Sequence, residues 1–166
     1  GRALKQQGRV AEAIAACNDA IRMDSENPAG YVALGECYRK AGDSRLAESH
    51  LQKALTLDPG DVSASLQLAM LLNEDGRREE ALRLCQIAIA ATPDSPHLHR
   101  LAGSFHRQNG DWCAAADRYR EVLKLEPQQV GASVELADIL RQNQQLEESV
   151  SVCRQAMAQH QARAEL

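Results

Sequence analysis

Displaced by 34 residues the sequence falls back into phase with itself, and this period limits the available folds more than any other property of the chain. The clearest unit runs from Pro28 to Pro59 and contains Gly35, Tyr38, a Gly42-Asp43 break, Ala47, Ala54 and the closing Pro59. One period later stand Ala69, Leu72, Gly76, Ala81, Ala88 and Pro93. The next gives Gly103, His106, Gly110, Ala115, Val122 and Pro127, and the last Ala137, Leu140, Gln144, Ser149, Ala156 and Gln161. Upstream, Gly1, Leu4, Gly8, Ala13 and Ala20 belong to a shortened first unit. A repeat of this length cannot bury its own apolar face, so stability must come from stacking on its neighbours.

Each unit reads as two helices. Asn27-Pro28 is an N-cap followed by proline at the first helical position, where its missing N–H costs nothing. A helix to about Ala41 follows, Gly42 permits the turn, and Asp43 or Ser44 caps a second helix that ends at Asp58-Pro59-Gly60. Asp61 and Asp111 read as further caps, Ser95-Pro96 as another start, and Gly8 as the turn of the first unit. The expected division is a truncated unit at 1–27, then 28–61, 62–95, 96–129 and 130–163, with a tail at 164–166, all in one solenoid domain. Gly35, Ala69, Gly103 and Ala137 form a column of small residues where helices must cross closely. A bulky side chain at Gly35 would overpack that crossing.

This pattern covers essentially the whole chain and resembles the tetratricopeptide repeat. The resemblance implies an all-α, right-handed superhelical solenoid of antiparallel helix pairs, acting as a protein-interaction scaffold rather than a catalyst. An unrelated helical bundle is the alternative.

Composition narrows the function further. A net charge of −4 and a pI near 5.7 give no bulk attraction to nucleic acid or anionic lipid. The aromatic fraction is only 3%, and Trp112 and Tyr119 belong to no aromatic-and-basic strip of the kind that binds single strands. Trp112 reads instead as a shield for the loop beside it. No apolar run approaches the length of a membrane span, and no signal-peptide pattern opens the chain. The sequence begins in mid-pattern, so the polypeptide is expected to continue upstream, where a targeting segment can lie. Cys17, Cys85 and Cys153 recur at twice the repeat length, too far apart in a solenoid to be bridged. They read as buried thiols, and with Cys37 and Cys113 the odd count favours a reducing, cytoplasmic setting. There is no phosphate loop, no cysteine–histidine nucleophile and no paired carboxylate, and no cofactor is expected. Among His97, His99 and His106, the last two read as packed at the seam between helices, and a metal would need further ligands.

The resemblance also implies a binding face, since the first helix of each unit lines the concave side in this family. Carried over by position, the candidate site residues are Lys5, Arg39, Lys40, Leu66, Met70, Asn73, His97, Arg100, Arg107 and Arg141. Lys5, Arg39, Asn73, Arg107 and Arg141 form one column, each a period apart. Basic groove positions outnumber the acidic Glu36, Glu74 and Asp138, although the whole chain is acidic. Such a strip would steer and orient an acidic peptide, with Leu66 and Met70 as an apolar anchor. The competing reading is that these basic side chains near helix ends are solvated and complement the helix dipole. The family's carboxylate clamp for heat-shock chaperone tails does not fit, because its first pair would fall on Val32 and Glu36 or on Leu66 and Met70. The asparagine ladder of O-linked N-acetylglucosamine transferase is missing too, the nearest column reading Ala33, Gln67, Leu101 and Glu135. Two further readings stand beside the scaffold. One is the recruiting arm of a larger enzyme such as a glycosyl- or sulfotransferase, and the other is self-association through unfinished solenoid ends.

Overall fold

The structure, a computed structural model, describes the backbone of residues 2–164 and the side chains of residues 9–158. Among the described residues every regular element is an α-helix: α1 (Arg2–Met23), α2 (Pro28–Ala41), α3 (Ser44–Leu57), α4 (Val62–Glu74), α5 (Arg78–Ala91), α6 (Pro96–Gln108), α7 (Trp112–Leu125), α8 (Val130–Gln142) and α9 (Leu146–Ala164). They divide into two compact units, residues 1–92 with α1 to α5 and residues 93–166 with α6 to α9.

The helix ends are set by the residues expected to set them. The Asn27 side chain accepts the Ala29 N–H, while Asp43, Asp61 and Asp111 accept those of Leu46, Ala64 and Ala114. The hairpin turns require a left-handed residue, and Gly42, Gly76 and Gly110 adopt φ of 84°, 80° and 77°. Gln144 holds the same place at φ 61°, a conformation that its Cβ makes costly. The first unit departs from expectation. Helix α1 runs unbroken through Gly8, with no turn there. Glycine inside a helix costs only about 1 kcal/mol relative to alanine, so Gly8 alone does not impose a turn.

Close crossings decide how each pair packs. A Cβ on Gly35 would lie 2.6 Å from Leu51 Cγ and 3.3 Å from the Ala47 carbonyl oxygen, so α2 can meet α3 only with glycine there. In the second unit a Cβ on Gly103 would lie 2.9 Å from the Tyr119 ring. The equivalent positions of the other two pairs hold Ala69 and Ala137, and there the partner column carries Cys85 and Cys153 in place of Leu51 and Tyr119. A smaller facing residue thus accompanies the larger crossing residue. In the first unit the core includes Leu34, Leu51, Leu68, Leu71 and Ala81; in the second it centres on Leu98, Phe105, Tyr119, Leu136, Ile139 and Leu140. Val32, placed by position on the groove face, is buried and belongs to this core. Trp112 packs against the α7–α8 core cluster rather than merely covering a loop.

Candidate binding surface

Most of the expected basic ladder is occupied by the protein's own carboxylates. Arg39 on α2, half-buried, places Nη1 2.9 Å from Glu74 Oε1 on α4. Lys40 Nζ is 2.8 Å from Glu36 Oε1 one helical turn back. In the second unit Arg107 on α6 places Nη1 3.3 Å from Glu135 Oε2 on α8, and Arg141 Nη2 lies 2.6 Å from Asp138 Oδ1. Asn73 accepts from Arg78 Nε at 3.1 Å. Lys5 lies outside the residues whose side chains are described. Leu66 and Met70 are half-buried on α4, and His97 is exposed at the start of α6.

Arg100 differs from the rest. It is exposed on α6 and makes no ion pair among the described residues. The Tyr119 phenol shows what surrounds it: burial and the Glu135 carboxylate push its pKa up, while the positive charges of Arg107 and Arg100 pull it down. Arg100, Arg107 and Glu135 therefore converge near one buried phenol. Arg39 and Arg107, two periods apart, share another feature, a buried Nε without a hydrogen-bond partner. Each guanidinium thus keeps unused donor capacity beside its carboxylate. Ion pairs this exposed contribute about 0–1 kcal/mol, so an incoming carboxylate can compete for the same guanidinium.

Glu135 is a residue of this surface that position alone did not reveal, because its column contains alanine, glutamine and leucine elsewhere. The signal was a carboxylate less than one period from a groove arginine, which in an array of this repeat length puts both on neighbouring first helices. The same rule accounts for two clamps on the second helices. Arg77 binds Glu48 at 2.8 Å and also grips Glu80 on its own helix, holding the Glu80 carboxyl below its usual range. Arg120 on α7 reaches Glu148 on α9 at 2.7 Å.

The cysteine expectation holds at one of its three positions. Cys85 is fully buried and its thiol is pushed up to about 12. Cys17 is only half-buried, with burial and then the neighbouring Cys37 raising its pKa. Cys153 is exposed on α9. His99 is buried as expected, with Nε2 2.9 Å from the Pro93 carbonyl, so that nitrogen carries the proton and Nδ1 is left without a partner. His106 sits half-buried with Nδ1 3.3 Å from Asp111.

Comparison with known proteins adds the following. A family model described as tetratricopeptide repeat matches residues 1–162. Anaphase-promoting complex subunit 7 of Homo sapiens is 28% identical over 162 residues, covering 76% of this chain and 28% of that protein. The chain thus spans less than a third of that relative. Among solved structures, MamA superposes with a TM-score of 0.79 at 20% identity, covering 98% of this chain and 95% of the other. YrrB, described as having an unusual peptide-binding site, superposes with a TM-score of 0.68 at 17% identity over 95% of this chain and 81% of its own. At these identities the structural matches establish the fold, an all-α solenoid of helix pairs.

Proposed function

The chain belongs to the tetratricopeptide repeat family, whose arrays serve as protein-interaction scaffolds, and we propose that each of its two units binds an acidic segment of a partner protein on the first helices of its own pairs. The observation that carries this reading is Arg100, an exposed guanidinium with no ion pair among the described residues, beside the Arg107–Glu135 pair. A ligand carboxylate engages Arg100 directly and exchanges with Glu135 on Arg107. In the first unit it exchanges with Glu74 on Arg39, while Leu66 and Met70 on α4 offer apolar contact. By position Lys5, Lys40 and Asn73 add to the surface of the first unit, and His97 and Arg141 to that of the second. The peptide-binding description of YrrB agrees with this use of the fold. Within a longer polypeptide the same surface would act as the recruiting arm of an enzyme, which changes what the scaffold delivers its ligand to and not what the surface recognises.

The test uses labelled oligoglutamate and oligolysine peptides of equal length. Oligoglutamate should bind and oligolysine should not, with affinity falling as salt rises. Arg100→Glu should weaken oligoglutamate binding about tenfold, the effect of roughly 1.4 kcal/mol, with helicity unchanged because no internal ion pair is lost. Equal binding of both peptides, or full binding by Arg100→Glu, overturns the reading.

A further inference from the structure

Two of the cysteines touch each other. Helices α1 and α2 are joined by a short connection and pack on one another, and a Cβ on Gly30 would lie 2.9 Å from Ile21 Cγ1, so their approach is close there. One turn back along α1 from Ile21 stands Cys17, and two turns on along α2 from Gly30 stands Cys37. Their side chains meet in a hydrogen bond, and both thiols are free.

The contact belongs to the repeat itself. One period on, the same two places hold Leu51 on α3 and Leu71 on α4, both fully buried. Three periods on they hold Tyr119 on α7 and Ile139 on α8, which lie in one core cluster. The two places are therefore brought together by the packing of a second helix on the first helix that follows it, and the meeting of Cys17 with Cys37 needs nothing outside α1 and α2. Leucines serve this packing in the next pair, yet here both places carry sulfur.

The two thiols are not equivalent. Burial, then Cys37, then the Glu36 carboxylate push the Cys17 pKa up, so Cys17 stays protonated and donates to Cys37 Sγ. A donated hydrogen bond favours negative charge on the sulfur that receives it, which makes Cys37 the attacking thiol.

We propose that Cys17 and Cys37 form a reversible redox site that closes to a disulfide by exchange with an oxidised low-molecular-weight thiol of the glutathione disulfide class. Cys37 gives up its proton and attacks one sulfur of the reagent, breaking the reagent's S–S bond. The thiolate expelled takes up that proton, and a mixed disulfide remains on Cys37. Cys17 then loses its proton and attacks Cys37 Sγ, forming the Cys17–Cys37 bond and expelling the second thiolate, which takes up the Cys17 proton. The protein pair is oxidised by two electrons and the reagent is reduced to two thiols. The bond, about 2.05 Å long, ties helices of consecutive repeats together and opposes local opening of the interface between them.

The test uses the whole chain in a Cys113→Ser, Cys153→Ser background, which removes the two exposed thiols. The reduced protein is incubated with glutathione disulfide and digested with trypsin without reductant. The expected product joins residues 10–22 to residues 23–39, and dithiothreitol releases it. Cys17→Ser should stop the reaction at a mixed disulfide on Cys37, whereas Cys37→Ser should leave Cys17 unmodified. Amide hydrogens at the α1–α2 interface should exchange about tenfold or more slowly in the bridged chain than in the reduced one, with α6 to α9 unchanged. Thiols that stay free, or that each carry glutathione without joining, overturn the site. A mixed disulfide on Cys17 in the Cys37→Ser variant overturns the order of attack, and unaltered exchange in the bridged chain overturns its hold on the interface.

Discussion

The α2–α3 pair and the α4–α5 pair of the first unit occupy equivalent stretches of sequence, yet they solve the same packing problem differently. In α2–α3 the crossing residue is Gly35, and Leu51 fills the space a side chain would need. In α4–α5 the equivalents are Ala69 and Cys85, both fully buried. The contact between the helices is more extensive in the first pair. The second helix of the first pair begins on a true cap, Asp43, whereas Arg77 in the same place makes no capping hydrogen bond and instead forks onto Glu48 and Glu80. In the second unit α6–α7 follows the first style, with Gly103, Tyr119 and Asp111 in these places, and α8–α9 carries the alanine and cysteine of the second. The 34-residue period is thus overlaid by a two-repeat alternation. At the three crossings whose partner is buried, Leu51 and Tyr119 stand against glycine and the smaller Cys85 against alanine, a trade of volume that a close-packed interior requires.

The largest expected effect comes from exchanging the two solutions. Gly35→Ala should destabilise by about 1–3 kcal/mol, since the new Cβ has nowhere to go against Leu51. Combining it with Leu51→Cys should cost less than the two single changes together, with a coupling of about 0.5–3 kcal/mol in a double-mutant cycle read by thermal or urea unfolding. Strict additivity would show that the glycine and its partner do not compensate each other. Next in size is the cap. Asp43→Ala should cost about 1 kcal/mol, and if it proves neutral, α3 is held by packing alone.

The smallest effect separates the pairs by pH. His50 on α3 stacks on Tyr38 at a centroid distance of 5.4 Å with the rings 6° from parallel, and burial lowers its pKa. The folded state therefore favours the neutral ring. The stability this gives is full above the usual histidine pKa of about 6.5 and is lost as pH falls from there through the lowered folded value. The equivalent position on α5 is Leu84, which does not titrate. A His50→Phe variant should unfold with a flatter pH dependence between neutral and mildly acidic conditions. An unchanged profile would mean that other groups set the acid sensitivity.

The sequence made the period, the helix limits and the caps legible because each depends on residues close together in the chain. Asn27, Asp43 and Gly42 act on backbone within a few residues. The charge state of the arginine strip was not legible in the same way. Lys40 with Glu36 and Arg141 with Asp138 could be read from helical spacing, but Arg39 with Glu74 and Arg107 with Glu135 join different helices, and only the packing decides which carboxylate each arginine reaches. The cysteine column shows the opposite failure. Equal positions in a repeat do not guarantee equal environments, since Cys85 is buried and Cys153 is exposed. Gly8 shows a related limit: glycine permits a turn without imposing one.

The alternation also bears on how such a chain can be edited. Excising or duplicating a single helix pair would break the order of glycine-type and alanine-type pairs, placing two of one kind in succession, whereas a cut of two consecutive pairs leaves every pair with its original kind of neighbour. The natural module for shortening, lengthening or shuffling this array is therefore the double repeat, a grain twice as coarse as its visible period.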